Sequence, residues 1–85
     1  MANQSQLELY YMPSCPYCRK VLNFMHKNDI DLPLHDINSD MAAETELVKV
    51  GGKRQVPCLF IDGAPLYESE DIIDYLSEKF AAPRA

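Results

Sequence analysis

Leu7-Glu8-Leu9-Tyr10-Tyr11-Met12-Pro13-Ser14-Cys15-Pro16-Tyr17-Cys18 is the stretch on which the fold turns. Residues 7–12 are rich in Leu and Tyr and read as a strand, which Pro13 ends. Val21, Leu22 and Met25 then recur at helical spacing, so a helix is predicted from Cys15 or Pro16 to Lys27, with Pro16 at a tolerated first-turn position. A Cys-X-X-Cys at such a junction sets its first sulfur near a helix N-terminus, where unpaired N–H groups and the helix dipole favour a thiolate. The second sulfur lies close enough to attack a disulfide formed on the first. Cys15 and Cys18 are therefore the candidate catalytic pair.

Further along the chain, strand and helix signals alternate. A second strand is predicted near Leu32–Ile37, with Pro33 pushing it to a sheet edge or a late start. Asp40 is suited to cap a helix over Met41–Val50, which Gly51-Gly52 ends. Pro57–Ile61 reads as a buried strand, Asp62-Gly63 as a hairpin turn, and Pro65–Tyr67 as the return strand. Ile72, Ile73, Leu76 and Phe80 form the apolar stripe of a last helix, Ser69–Phe80, with Ser69 as its expected N-cap and Ala81–Ala85 expected to fray. The predicted order is β-α-β-α-β-β-α. It makes an α/β fold with a four-stranded mixed sheet, a right-handed parallel βαβ unit, an antiparallel hairpin and helices on both faces.

The 85 residues, 47% hydrophobic and 25% charged, are expected to form a single domain over 1–85 with a core over about 7–80. A net charge of −5 and the lack of a basic stripe argue against nucleic acid as a partner. No apolar stretch approaches the ~20 residues that span a membrane, and the polar start Met-Ala-Asn-Gln-Ser-Gln does not read as a secretory signal. Three cysteines make a poor disulfide framework, so a reducing cytoplasm is expected. A zinc site would need Cys58, His26 or His35 to complete the pair, and none of them forms a second closely spaced ligand pair. No metal is therefore expected, and Cys58 reads as a small buried apolar residue.

Two other constellations carry chemistry. Gln55-Val56-Pro57 opens a central strand with a proline, for which an ordinary trans bond at a strand entry is the simpler reading; a cis peptide there would turn the Val56 backbone toward the cysteines, where it would offer strand-like hydrogen bonds to an extended ligand. Glu68-Ser69-Glu70-Asp71 opens the last helix: Ser69 and the helix N-terminus suit a carboxylate, and the neighbouring acids suit an ammonium group. Carboxylate and ammonium on one carbon describe the α-amino-acid end of a γ-glutamyl group. A capped helix with an acidic first turn is the simpler reading of the same residues.

With these sites in view, residues 7–80 resemble a glutaredoxin of the thioredoxin superfamily, through Cys15-Pro16-Tyr17-Cys18, Val56-Pro57 and Phe60-Ile61-Asp62-Gly63. Pro65–Leu76 also resembles the N-terminal domain of glutathione transferases, where a Glu-Ser pair, here Glu68 and Ser69, holds the γ-glutamyl end of glutathione. The resemblance implies a thioredoxin-like fold and glutathione-dependent reduction of protein disulfides and glutathione mixed disulfides. Cys15 would be the nucleophile and Cys18 the resolving thiol. Tyr17 would flank the glutathione sulfur, Val56 would pair with its cysteinyl backbone, a cis Pro57 would shape the groove, and Arg54 or Gln55 would meet its glycine carboxylate. Glutathione enters as reductant and co-substrate, with no tightly bound cofactor. The expected partners are glutathione and disulfide-containing or glutathionylated proteins, for a cytoplasmic monomer. Three positions depart from the family pattern: Met12 stands where many glutaredoxins carry lysine, Gln55 where threonine is common, and Tyr67-Glu68 where Gly-Gly often precedes the last helix. Two other readings stay open: a redoxin reduced by thioredoxin reductase, and a module binding an iron–sulfur cluster through Cys15 and glutathione.

Overall fold

The computed structural model describes residues 6–82. The polar segment 1–5 and residues 83–85, to which the leader and fraying expectations partly apply, lie outside the described residues. The chain runs β1 (Leu7–Tyr11), α1 (Pro16–Lys27), β2 (Leu34–Asp36), α2 (Met41–Glu46), a π-helical turn (Leu47–Gly51), β3 (Cys58–Ile61), β4 (Ala64–Tyr67) and α3 (Ser69–Lys79). The expected order holds. The sheet order is β2-β1-β3-β4, with β1 and β2 parallel and the other two pairs antiparallel.

Strand alternation divides the core into two layers. Leu7, Leu9 and Leu59 pack with Val21, Phe24 and Met25 of α1 and Ile72, Ile73 and Leu76 of α3. Tyr10, Cys58 and Phe60 pack on the other side with Ile37, Ala43 and Leu47. Leu9, Leu59 and Leu76 are wholly buried, and each such side chain contributes about 1.5–3 kcal/mol by leaving water.

The element ends follow local chemistry. Pro33 has no N–H but offers its carbonyl to Leu9 N–H at 3.0 Å, and β2 starts at Leu34, two residues later than expected, and is shorter. The Asp40 carboxylate accepts the N–H groups of Ala42 and Ala43 as the cap of α2. The helix expected over Met41–Val50 widens into the π turn from Leu47 and ends at Gly52, whose φ is 96°. Asp62 and Gly63 have φ of 52° and 88°, the paired positive values of the expected tight hairpin.

Helices α1 and α3 both end in Schellman turns. In α1, Asp29 takes φ 56° and Ile30 N–H reaches the Met25 carbonyl at 2.9 Å. In α3, Ala81 takes φ 53° and Ala82 N–H reaches the Ser77 carbonyl at 2.9 Å. Ala81 and Ala82 are thus hydrogen-bonded, with Ala82 buried, rather than frayed.

One cap differs from expectation. Glu68, not Ser69, is the N-cap of α3, with φ 76° and no side-chain cap hydrogen bond. The chain turns sharply from β4 into α3, and the positive φ at Glu68 draws Ser69 into the first helical turn.

Candidate active site

Cys15 stands where β1 gives way to α1. Its N–H donates to the Met12 carbonyl at 3.1 Å, which closes the Met12–Cys15 turn. As N-cap of α1 it has extended backbone, and its sulfur accepts the Cys18 N–H at 3.5 Å. Pro16 costs nothing there because its missing N–H would have no helical partner. The first turn of α1 holds no carboxylate to oppose negative charge on the sulfur. Cys15 is half-buried, Tyr17 is 65% exposed, and Cys18 is completely buried.

The two thiols therefore differ in chemistry. Burial pushes the Cys18 thiol up to about 12; the Met12 N–H, which donates to its sulfur at 3.5 Å, opposes the rise, and the adjacent Cys15 sulfur adds to it. Cys18 thus stays protonated at neutral pH, while Cys15 is the more accessible sulfur of the two. Cys58 is also wholly buried, and burial pushes it up to about 11 against the pull of the Leu66 N–H, Tyr67 and Lys53. It lies in the sheet layer facing α2, among Tyr10, Leu47 and Phe60.

Val56-Pro57 is a cis peptide, as the family resemblance implied. It forms one wall of a groove of about 510 Å³, together with Gln55 and, from α1, Tyr17 and Lys20. Glu68, Ser69 and Glu70 at the start of α3 form the opposite wall. Three segments distant in sequence meet here because the sheet order sets β3 beside β1 and because α1 packs on α3. Ser69 is 92% buried by its 8% exposure, yet it lines the groove, and its hydroxyl makes no hydrogen bond within the described residues.

Tyr17, Gln55, Val56, Pro57, Glu68 and Ser69 thus share one groove, which Tyr17 joins from the Cys15–Cys18 segment while the two cysteines themselves do not line it. Arg54 does not join them; its Nε donates to the Glu44 carboxylate of α2. Lys20 and Glu70 line the groove as well and are joined by an ion pair across α1 and α3. The site reading had no local signal for that pair, since its partners are 50 positions apart. Of the residues weighed for zinc, His35 Nε2 pairs with Glu8 Oε1 at 2.9 Å and stacks on Tyr10, while His26 is exposed on α1. Among the described residues no three His, Cys, Asp or Glu side chains converge to hold a metal ion.

Comparison with known proteins agrees with this geometry. Residues 9–84 match the family described as glutathione S-transferase, N-terminal domain. A Synechocystis protein named probable glutaredoxin is 29% identical over 73 residues, which cover 85% of this chain and 83% of that one. The crystal structure of a thioredoxin-like protein superposes with a TM-score of 0.76 at 26% identity, covering 92% of this chain and 97% of the other. Human glutathione transferase theta-2, solved with glutathione, gives a TM-score of 0.79 at 29% identity over 91% of this chain, which spans only 32% of that protein. Glutaredoxin-like relatives support a thiol–disulfide redox function, that of an oxidoreductase. With a Cys-X-X-Cys at a helix start, a cis proline beside it and a thioredoxin-like sheet, the chain belongs to the family of glutathione S-transferase N-terminal domains and resembles the glutaredoxins within the same fold.

Proposed function

We propose that this chain is a glutathione-dependent thiol–disulfide oxidoreductase acting on glutathione mixed disulfides and on protein disulfides. The observation that carries the reading is the shared groove: the cis Val56-Pro57 backbone, Tyr17 from between the two cysteines, and the Glu68-Ser69 start of α3 line one trough. Val56 pairs with the cysteinyl backbone of glutathione, Ser69 and the α3 N-terminus receive the γ-glutamyl carboxylate, and Glu68 meets its ammonium group. Gln55 is the better placed partner for the glycine carboxylate, because Arg54 is engaged by Glu44.

In the reaction, the Cys15 thiolate attacks the glutathione sulfur of a mixed disulfide; the protein thiolate leaves and a Cys15–glutathione disulfide forms. A second glutathione thiolate attacks that bond, yielding oxidised glutathione and restoring the Cys15 thiolate. With a protein disulfide, Cys15 forms a mixed disulfide with the substrate, and Cys18 then attacks the Cys15 sulfur. The departing substrate thiolate takes up the proton that Cys18 loses. Two glutathione molecules reduce the resulting Cys15–Cys18 disulfide. The domain, on this reading, is a cytoplasmic monomer.

A coupled assay tests the proposal: turnover of a glutathionylated peptide with glutathione, glutathione reductase and NADPH, set beside thioredoxin reductase and NADPH. Turnover through glutathione is expected. Reduction by thioredoxin reductase alone would overturn the glutathione dependence.

A further inference from the structure

A second groove, of about 430 Å³, lies on the α2 side of the sheet and shares no lining residue with the first. Its floor is aromatic: Tyr10 and Phe60 are 5% and 6% exposed, with ring centroids 4.9 Å apart. Its rim is acidic, with Glu8 from β1, Glu46 from the end of α2 and Asp62 from the β3–β4 turn. These carboxylates are poorly neutralised. Glu8 Oε1 has only the neighbouring His35 ring, Asp62 Oδ1 accepts a backbone N–H from Gln6, and Glu46 has no ion pair among the described residues.

Tyr10 is an independent sign that something binds there. It is 95% buried by its 5% exposure, and its hydroxyl makes no hydrogen bond within the described residues. No described side-chain oxygen is both buried from solvent and unpartnered, so that hydroxyl opens onto the groove it lines. The ring is buried while the hydroxyl is presented to the groove, where a ligand can exchange a hydrogen bond with it. Burial first, and then the charges of Glu8 and Glu46, push the Tyr10 phenol upward and keep it protonated, so it can both donate and accept a hydrogen bond.

A metal ion does not suit the site, because no described cluster has metal-binding geometry. A flat cation does. Two mutually tilted rings beneath separated carboxylates match a guanidinium, which packs against aromatic carbon and presents N–H pairs to acids on either side. An ammonium would satisfy one carboxylate and leave the rings less well covered. We propose that this groove is a guanidinium-binding site, in which Glu8, Glu46 and Asp62 hold the cation over Tyr10 and Phe60.

The guanidinium has two possible sources, a free alkylguanidine or an arginine side chain of a partner protein, and the test separates them. The reduced full chain, ¹⁵N-labelled, is titrated with agmatine, with acetyl-Gly-Arg-Gly-amide and with acetyl-Gly-Lys-Gly-amide. Amide shifts are expected to concentrate at Glu8, Tyr10, Glu46, Phe60 and Asp62, with the lysine peptide binding at least ~5-fold more weakly than the arginine peptide. Binding by agmatine but not by the arginine peptide assigns a free guanidine; binding by the arginine peptide assigns a protein arginine as a competent source. Glu46 is exposed, so Glu46→Gln is expected to leave the fold intact and weaken binding at least ~3-fold; Tyr10→Phe, with its ring retained, is expected to do so too. Equal response to the lysine peptide, shifts spread over Glu68, Glu70 and Asp71, or undiminished binding by Glu46→Gln would each overturn the assignment.

Discussion

Cys18 donates its backbone N–H to the Cys15 sulfur across 3.5 Å, while its own sulfur is withdrawn from solvent and accepts the Met12 N–H at the same distance. One residue thus supports the exposed sulfur with its backbone and holds a second sulfur in reserve. Replacing the Cys18 side chain leaves that N–H in place. Cys15→Ser is expected to lower turnover of glutathionylated peptides by ~100-fold or more, whereas Cys18→Ser stays within ~3-fold of the parent on that substrate and fails on protein disulfides. Steady-state rates on the two substrate types decide this, and equal losses in both variants would contradict it.

The buried thiols make stability depend on pH in one direction. Cys18 and Cys58 are pushed up to about 12 and about 11 from a reference of 9.0, so between these values the folded chain keeps protons that the unfolded chain releases. The stabilisation is fully present below about pH 9 and is lost as pH rises toward the folded values. Each thiol contributes a slope of at most about 1.4 kcal/mol per pH unit. Tyr10 and Tyr67, also pushed upward by burial, add to the fall above pH 10. Urea midpoints of the reduced protein measured from pH 8 to pH 10.5 should decline, less steeply in Cys58→Ala. A flat profile would refute this account.

Glu68 has φ 76° at the mouth of the groove, a region where a side chain is disfavoured. Glycine at this position removes that strain but frees the unfolded chain, for a net gain of about 1 kcal/mol. The same change deletes a carboxylate assigned to the ligand's ammonium group. Glu68→Gly is therefore expected to raise the melting temperature while increasing KM for glutathione ~3-fold or more. A variant that is both less stable and unchanged in KM would count against both statements.

Gly51 allows a close approach. A Cβ there would lie 2.5 Å from the Tyr67 hydroxyl, which donates to the Lys53 carbonyl at 3.1 Å. Gly51→Ala should cost about 1–3 kcal/mol in denaturant unfolding, and Tyr67→Phe in the same chain should recover part of it by removing the obstructing oxygen. No recovery would show that the loss arises elsewhere.

Gln55 and Arg54 are neighbours with different surroundings: one lines the groove, and the other is tied to Glu44. Gln55→Ala is expected to raise KM for glutathione more than Arg54→Ala. Arg54→Ala should change stability by less than ~1 kcal/mol, as an exposed ion pair warrants. The reverse order of KM effects would assign the glycine carboxylate to Arg54.

The sequence by itself determined the element order, because each element is signalled locally. Pro13 and Asp40 mark boundaries, Asp62-Gly63 makes a turn, and alternation in β1 and the helical stripes of α1 and α3 name the buried positions. It also singled out Cys15 and Cys18 as the candidate pair, since their spacing and their junction are both local. What it missed depends on backbone geometry set by the neighbours. Ser69 lost the cap to Glu68 because the turn from β4 forces a positive φ one residue earlier, and the end of α2 widened where it meets β4. Only the tertiary structure decided which side chains share a groove. It joined Lys20 to Glu70, tied Arg54 to Glu44, and set Tyr10 in one groove with three acids contributed by three separate segments. Spacing along a chain reports hydrogen bonding within a turn or a helix, whereas these contacts depend on how the sheet orders its strands and which helices meet across it.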